Sequence, residues 1–312
     1  MVAAGINTRS SLEIVCFAYC SFVKLEKIVL KSLIVNADDF GLHTAVNHAV
    51  INGYEKGCLR STSLMPTGSA VEEAAALARQ CPELGVGVHI TLVAEYPVLP
   101  PERVRSLIGS DGRFFPDHVA FIKAFVQGKI RMAELYAECE AQIQRVKSLG
   151  IDISHLDSHQ HLHVLPKIID VCLELAKKYD IHRMRLPAEG CFFTGGYPAP
   201  LARKIARGGL SLCARLARQR AAGRMAMPDA FFGMLAGGHM EQKYFQAVLQ
   251  ALPEGVSEIM VHPGLDNAVL GAAYDWQYHW EDEYHAVTAP AVLEYIRQSG
   301  IRLISFKELS DE

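Results

Sequence analysis

The chain has 312 residues, 50% hydrophobic and 21% charged, enough to bury a sizeable core as one large or two smaller domains. A net charge of −3 and a pI near 6.5 give no whole-protein attraction to nucleic acid, so a nucleic-acid partner is not expected. No run reaches the ~18 apolar residues that span a bilayer, and eight singly scattered cysteines without a Cys-x-x-Cys pair fit reduced thiols in a cytoplasm-like compartment.

Residues 1–30 read as a poorly ordered N-terminal extension. Its stretch "LEIVCFAYCSFV" has the length of a signal core, but it contains Glu13, lacks a small-x-small cleavage site and runs into Lys24, Glu26 and Lys27. Residues 31–312 then form one domain. Strands are expected at residues 32–37, 61–65, 84–92, 153–159, 183–186, 258–262 and 302–306. Helical periodicity lies between them at 44–56, 70–80, 132–148, 167–179, 201–222, 241–252 and 284–299. Regular β-then-α alternation predicts an α/β fold with a parallel sheet, and seven such units suit a closed or nearly closed barrel; a doubly wound open sheet is the alternative. Two insertions interrupt the alternation. Residues 93–131, rich in Pro and Gly, are long enough for a functional loop, and residues 188–240 form the second.

Polar residues that look out of place cluster at the C-terminal ends of these strands. They are Asp38 and Asp39 after the first, His89 in "GVGVHITL", Asp157, His159 and His161 in "HLDSHQHLH", Arg185 in "MRLP" and His262 in "VHPG". In a parallel barrel those ends share one mouth, where catalytic groups gather. Singly each has a plain structural reading, the aspartates as turn or cap residues and the histidines as hydrogen-bonded core or loop residues. Jointly, one carboxylate and two imidazoles make a mixed N/O set for a divalent ion, which can lower the pKa of a water to roughly 7. The aspartate that does not bind the ion is a natural base and His262 a candidate acid. Residue chemistry alone does not say which aspartate does which.

"IVNADDFG", "VGVHITL", "HLDSHQHLH" and "VHPG", in that order, resemble the YdjC-like carbohydrate deacetylases, relatives of the chitooligosaccharide deacetylases, over about residues 33–309. The resemblance implies a distorted (β/α) barrel of the deacetylase type and one divalent ion, magnesium or zinc, held by Asp39, His89 and His159. It implies Asp38 as the base and His262 as the residue assisting the leaving group. Arg185 is a candidate to orient Asp38 or the substrate, and Asp157 and His161 are candidates for supporting or substrate contacts. "STSLMPTG", "VAEYPVLPP", "GRF" and "PDAFFGM" look most like the hopanoid biosynthesis-associated branch named HpnK, which implies an N-acetylglucosaminyl hopanoid as substrate.

Two further stretches bear on the substrate. Residues 201–224 carry seven Arg or Lys and no acid among Leu and Ile at near-helical spacing, a helix that can rest on an anionic membrane surface, although Gly208 and Gly209 weaken it and a solvated face is the plainer reading. In "DWQYHWEDEYH", Trp276 and Trp280 are four apart, which suits one helical face packing down or rings that stack on a sugar. Phe114, Phe115, Phe192, Phe193, Phe231 and Phe232 could wall an apolar pocket or fill the core. The competing functions are a two-metal phosphoesterase and a non-catalytic glycolipid-binding protein.

Overall fold

A computed structural model of the chain describes Met1 and residues 31–310. Apart from Met1, the extension expected over residues 1–30 lies outside the described residues. Strand β1 (Lys31–Phe40) pairs in parallel with β2 (Ser61–Leu64) on one side and β6 (Gly255–Val261) on the other. Outward from these lie β3 (Gly85–Ile90), β4 (Ile153–Ser158) and β5 (Ala230–Phe232), giving the order β4-β3-β2-β1-β6-β5, with β7 (Arg302–Leu303) pairing the start of β1. All of these ladders are parallel.

The ring closes without a ladder. Residues 183–189 touch β4 through a Leu156–Met184 bridge and β5 through a Glu189–Phe231 bridge. The strand expected at 183–186 is therefore corrected to isolated bridges. Arg183 O and Arg185 N both engage Leu156, but Pro187 follows and has no N–H to continue a ladder. The result is a distorted (β/α) barrel, with a weak stave where a regular barrel has a strand.

Helices α1 (Thr44–Lys56), α2 (Val71–Ala78), α4 (Met132–Ser148) and α5 (Ile168–Tyr179) fall where the periodicity predicts. Within the first insertion, a further helix α3 (His118–Val126) is capped by Asp117, whose side chain accepts from Ala120 N at 2.8 Å. Helix α6 (Leu201–Ala221) runs unbroken through Gly208 and Gly209, and α7 (Gln242–Ala251) and α8 (Asn267–Ala273) follow. The single helix expected at 284–299 is two, α9 (Trp280–Thr288) and α10 (Pro290–Gln298), because Pro290 cannot continue α9 but suits the first turn of α10. After Leu303, Ser305 and Glu308 form a capping box that ends the last strand earlier than predicted.

Helix α4 also fixes the first insertion. Its buried stripe includes Glu138 and Gln142. Glu138 accepts from Val98 N and Leu99 N at 2.8 and 3.0 Å, and Gln142 brackets Thr91 through both N and O at 2.8 and 2.7 Å. Buried polar groups with all their partners rigidify what they hold. The insertion is thereby a fixed wall beside the end of β3.

Strand alternation explains the barrel's interior. Leu33, Val35 and Ala37 pack outward into the main core, whereas Ile34 packs with Phe306 and Ile304 in a small cluster, and the next inward positions are Asn36 and Asp38. The interior of such a barrel is ordinarily filled by Val, Ile and Leu. Here it turns polar toward the mouth. Gly87 makes room for it, since a Cβ there would lie 2.4 Å from the His155 ring.

Candidate metal centre and active site

Alternation should send Asp38 and Asp39 to opposite faces of β1, yet both reach the mouth. The pairing of β1 with β2 shifts register between Ala37 and Phe40, and Asp39 adopts a left-handed backbone with φ 62°. Such a bulge re-aims one side chain, and Asp is among the few residues that tolerate this conformation. His89 Nε2 consequently faces both carboxylates, 3.4 Å from Asp39 Oδ1 and 3.9 Å from Asp38 Oδ2.

The two aspartates have different partners. Arg185, fully buried, grips Asp38 with both Nη atoms at 2.6 Å, and Asn36 Nδ2 donates to Asp38 Oδ1 at 2.8 Å. A carboxylate has about four lone pairs; these bonds use three and leave one on Oδ2, the oxygen nearer His89. Asp39 meets no guanidinium. Its Oδ1 lies 3.0 Å from His159 Nδ1, and its Oδ2 and His159 Nε2 are buried with no partner. Burial opposes ionisation of Asp39, but the His159 and His89 imidazoles outweigh it and hold the carboxyl well below the usual range.

Candidate ligand atoms of Asp39, His89 and His159 all lie within 4.8 Å of one another, and all three residues are buried. His89 donates from Nδ1 to Asp157 Oδ1 at 2.8 Å, which leaves Nε2 to face the cluster. A carboxylate behind the far nitrogen is how metal-ligating histidines are commonly fixed. Burial alone would lower the His89 pKa, but Asp157, Asp38 and Asp39 raise it to about 10, so this position demands positive charge. The orphaned oxygen and nitrogen, the mixed N/O donors and the surrounding carboxylates fit a divalent cation. A second grouping, Asp38, His89 and Asp157, is also close enough, but Arg185 already occupies both of its carboxylates.

Arg185 is the hub behind the site. Besides Asp38 it meets Asp157 Oδ2 at 2.7 Å and Glu258 Oε1 at 2.7 Å, and its guanidinium sits 5.7 Å from the Phe231 ring centre. Ser63 donates to Asp157 at 2.8 Å and accepts from Asn36 at 2.9 Å, closing the network. Burial lifts the Glu258 carboxyl to about 7 against the pull of Arg185. A carboxyl raised to that value is largely protonated below neutral pH. Glu258→Gln mimics that protonated form. The ionisation it avoids costs nothing below about pH 4.5 and on the order of 3 kcal/mol above pH 7. Thermal melts should therefore show Glu258→Gln gaining over wild type at pH 8 and matching it at pH 4.5; equal melting at both would refute the assignment.

His262 follows β6 and is buried, with its ring 4.9 Å from Tyr278. Its backbone N donates to Glu283 Oε2, which also lies 3.7 Å from His262 Nδ1, while Glu283 Oε1 accepts from Met240 N at 3.0 Å. Burial alone would lower the His262 pKa, but Glu283, then Asp39 and Asp38, raise it.

The rings of Tyr274, Trp276, Tyr278 and Trp280 contact one another in succession at 5.0, 5.6 and 5.6 Å, and Trp276 lies 5.3 Å from His159. Contacts between alternate residues come from a non-helical segment, which corrects the reading of Trp276 and Trp280 as one helical face. Trp276 also lines a cavity of about 510 Å³ with Tyr274, Glu95, Arg113, Phe114 and Phe115. Of the other phenylalanines, Phe231 packs at Arg185 and His161, Phe193 packs on Phe232, and Phe192 is fully exposed. His161, beside His159 in sequence, instead turns toward Phe231 and His163.

Asn36, Ser63, Glu258 and Glu283 were not singled out by sequence. The signal for the first three was a polar residue at an inward position of a buried strand. Glu283 was hidden in the charged run "EDE".

A parallel barrel with a buried Asp-His-His cluster at its mouth defines the class of α/β barrels able to hold a divalent cation. The profile described as YdjC-like protein matches residues 32–298, and the chain belongs to that family. It is 32% identical over 283 residues to a carbohydrate deacetylase of Thermoanaerobacter pseudethanolicus, covering 90% of this chain and 100% of that one. It is 31% identical to a chitooligosaccharide deacetylase of Enterobacter sp., covering 89% and 99%. Among solved structures, a candidate cellobiose-phosphate cleavage protein of Enterococcus faecalis superposes with a TM-score of 0.69 at 27% identity, covering 90% of this chain and 100% of the other.

Proposed function

We propose that this chain is a metal-dependent carbohydrate N-deacetylase that removes the acetyl group of an N-acetylated amino sugar. The observation that carries the proposal is the split between the two aspartates: Asp38 is tethered by Arg185, and Asp39, without a guanidinium partner, sits beside His89 and His159 with its Oδ2 unpartnered. The relatives named carbohydrate deacetylase and chitooligosaccharide deacetylase support the substrate class.

Asp39, His89 and His159 would hold the ion, magnesium or zinc. When bound, the ion supplies Lewis-acid polarisation of the acetamide carbonyl and a more acidic water. Asp38 accepts the proton of the attacking water on its remaining lone pair, with Arg185 and Asn36 fixing its plane. His262, kept protonated with the help of Glu283, donates to the departing amine. Trp276 offers a ring face for the sugar beside His159.

His262→Gln should lower kcat about a hundredfold with metal content unchanged. An acid whose pKa is raised loses activity as pH climbs through that value. Replacing Glu283 with Gln withdraws the main raising influence, so the alkaline limb of the rate profile should move to lower pH. An unmoved limb would remove His262 from the acid role.

Within this class, the proposed substrate is the N-acetylglucosaminyl group of a hopanoid lipid, on the strength of the branch motifs. A soluble chitooligosaccharide is the second reading, favoured by the Enterobacter relative. Weighing products after incubation with each substrate separates them. Acetyl loss from the glycolipid alone supports the first, and loss from chitobiose alone supports the second.

A further inference from the structure

Helix α6 presents an apolar stripe to solvent. Leu201, Ile205, Leu212 and Leu216 are 72%, 66%, 59% and 50% exposed, and at ~100° per residue they fall within an arc of about 60°. Lys204 and Arg215 are exposed along one margin of the stripe. Arg220, paired with Asp170 at 2.7 Å, flanks the other.

The opposite face of α6 is already docked through Arg207, Ser211, Ala214, Ala217 and Ala221. Arg207 donates to Phe193 O and Cys191 O at 2.7 and 2.6 Å, which fixes the helix's roll. The stripe is therefore the face that remains, not one awaiting the core. From Gly190 to Pro228 the chain has seven Arg or Lys and no acid, in a protein of net charge −3. The helix also packs against the turn His159–Val164, the element that carries a residue of the Asp-His-His cluster.

We propose that α6 lies in the headgroup layer of an anionic lipid bilayer, its four apolar side chains inserted and its basic margin against the lipid phosphates. Apolar residues between cationic margins are the pattern of helices that rest in the plane of a membrane. A second copy of the chain is the poorer occupant, because a symmetric pairing of this face sets its basic margins against each other. This inference stands apart from the deacetylase reading, since it needs no substrate.

The test is cosedimentation with vesicles of phosphatidylcholine containing phosphatidylglycerol, and with phosphatidylcholine alone. Wild type should bind the anionic vesicles, leave them at high salt, and stay off the neutral ones. Leu212→Glu with Leu216→Glu, and separately Lys204→Glu with Arg215→Glu, should each cut partitioning at least about tenfold. Melting temperature and far-ultraviolet circular dichroism should not change in either pair. Wild type failing to bind anionic vesicles, or both pairs binding as wild type does, would overturn the proposal. So would a wild-type dimer that L212E/L216E converts to monomer without lipid binding, which would give the face to a second copy.

Discussion

Replacing Asp39 with Asn is expected to abolish divalent-ion binding and to lower acetate release by about a thousandfold or more, with the fold retained. Asn is the informative substitution because Asp39 sits at φ 62°, a conformation Asn tolerates, whereas Ala would add about 1–2 kcal/mol of backbone strain. The change removes only charge and a donor oxygen. Asp39 meets no guanidinium, unlike Asp38 and Asp157, and among the described residues no other free carboxylate stands beside His89 and His159 to replace it. Metal analysis after dialysis and an acetate assay check both halves. A D39N protein that keeps its ion and its rate would end the ligand assignment.

Asp38→Asn should give the complementary result, kcat reduced roughly a hundred- to ten-thousandfold with the ion still bound. The structural reason is the same asymmetry viewed from the other side: both oxygens of Asp38 are committed to Arg185 and Asn36, with one lone pair left over. The amide also puts an NH2 against the guanidinium or toward the site. Some stability should be lost, because a buried cation without its full complement of acceptors is costly. Thermal melting separates that loss from the fall in rate.

How far the sequence spoke for itself differs from element to element. The run from Leu33 to Ala37 announced a buried parallel strand because both of its faces are covered, and α1 and α4 were announced by period and turn signals. The stave at 183–189 was not legible as bridges, because its closing role depends on Pro187 and on neighbours distant in sequence. The site showed the same limit. Residues at strand ends could be gathered on one mouth by the parallel topology alone. The division of roles between Asp38 and Asp39 came from the family resemblance; the bulge that brings both carboxylates to the mouth is announced by no residue pattern. Glu258 was invisible for another reason: a single acid in "SEIMV" reads as a solvent-facing strand position until Arg185 is seen beside it.

That arrangement gives the chain two coupled halves, a cluster that asks for positive charge and a tethered carboxylate poised beside it. The central claim is that they act together as an N-deacetylase. It is tested most directly by acetate release from an N-acetylated amino sugar, using protein stripped with a chelator and then resupplied with magnesium or zinc. The account predicts no release from the stripped protein, recovery in proportion to about one ion bound per chain, and no recovery in D39N. Undiminished release from protein shown to be free of metal would contradict it, as would two bound ions with turnover of phosphate esters and none of the acetamide.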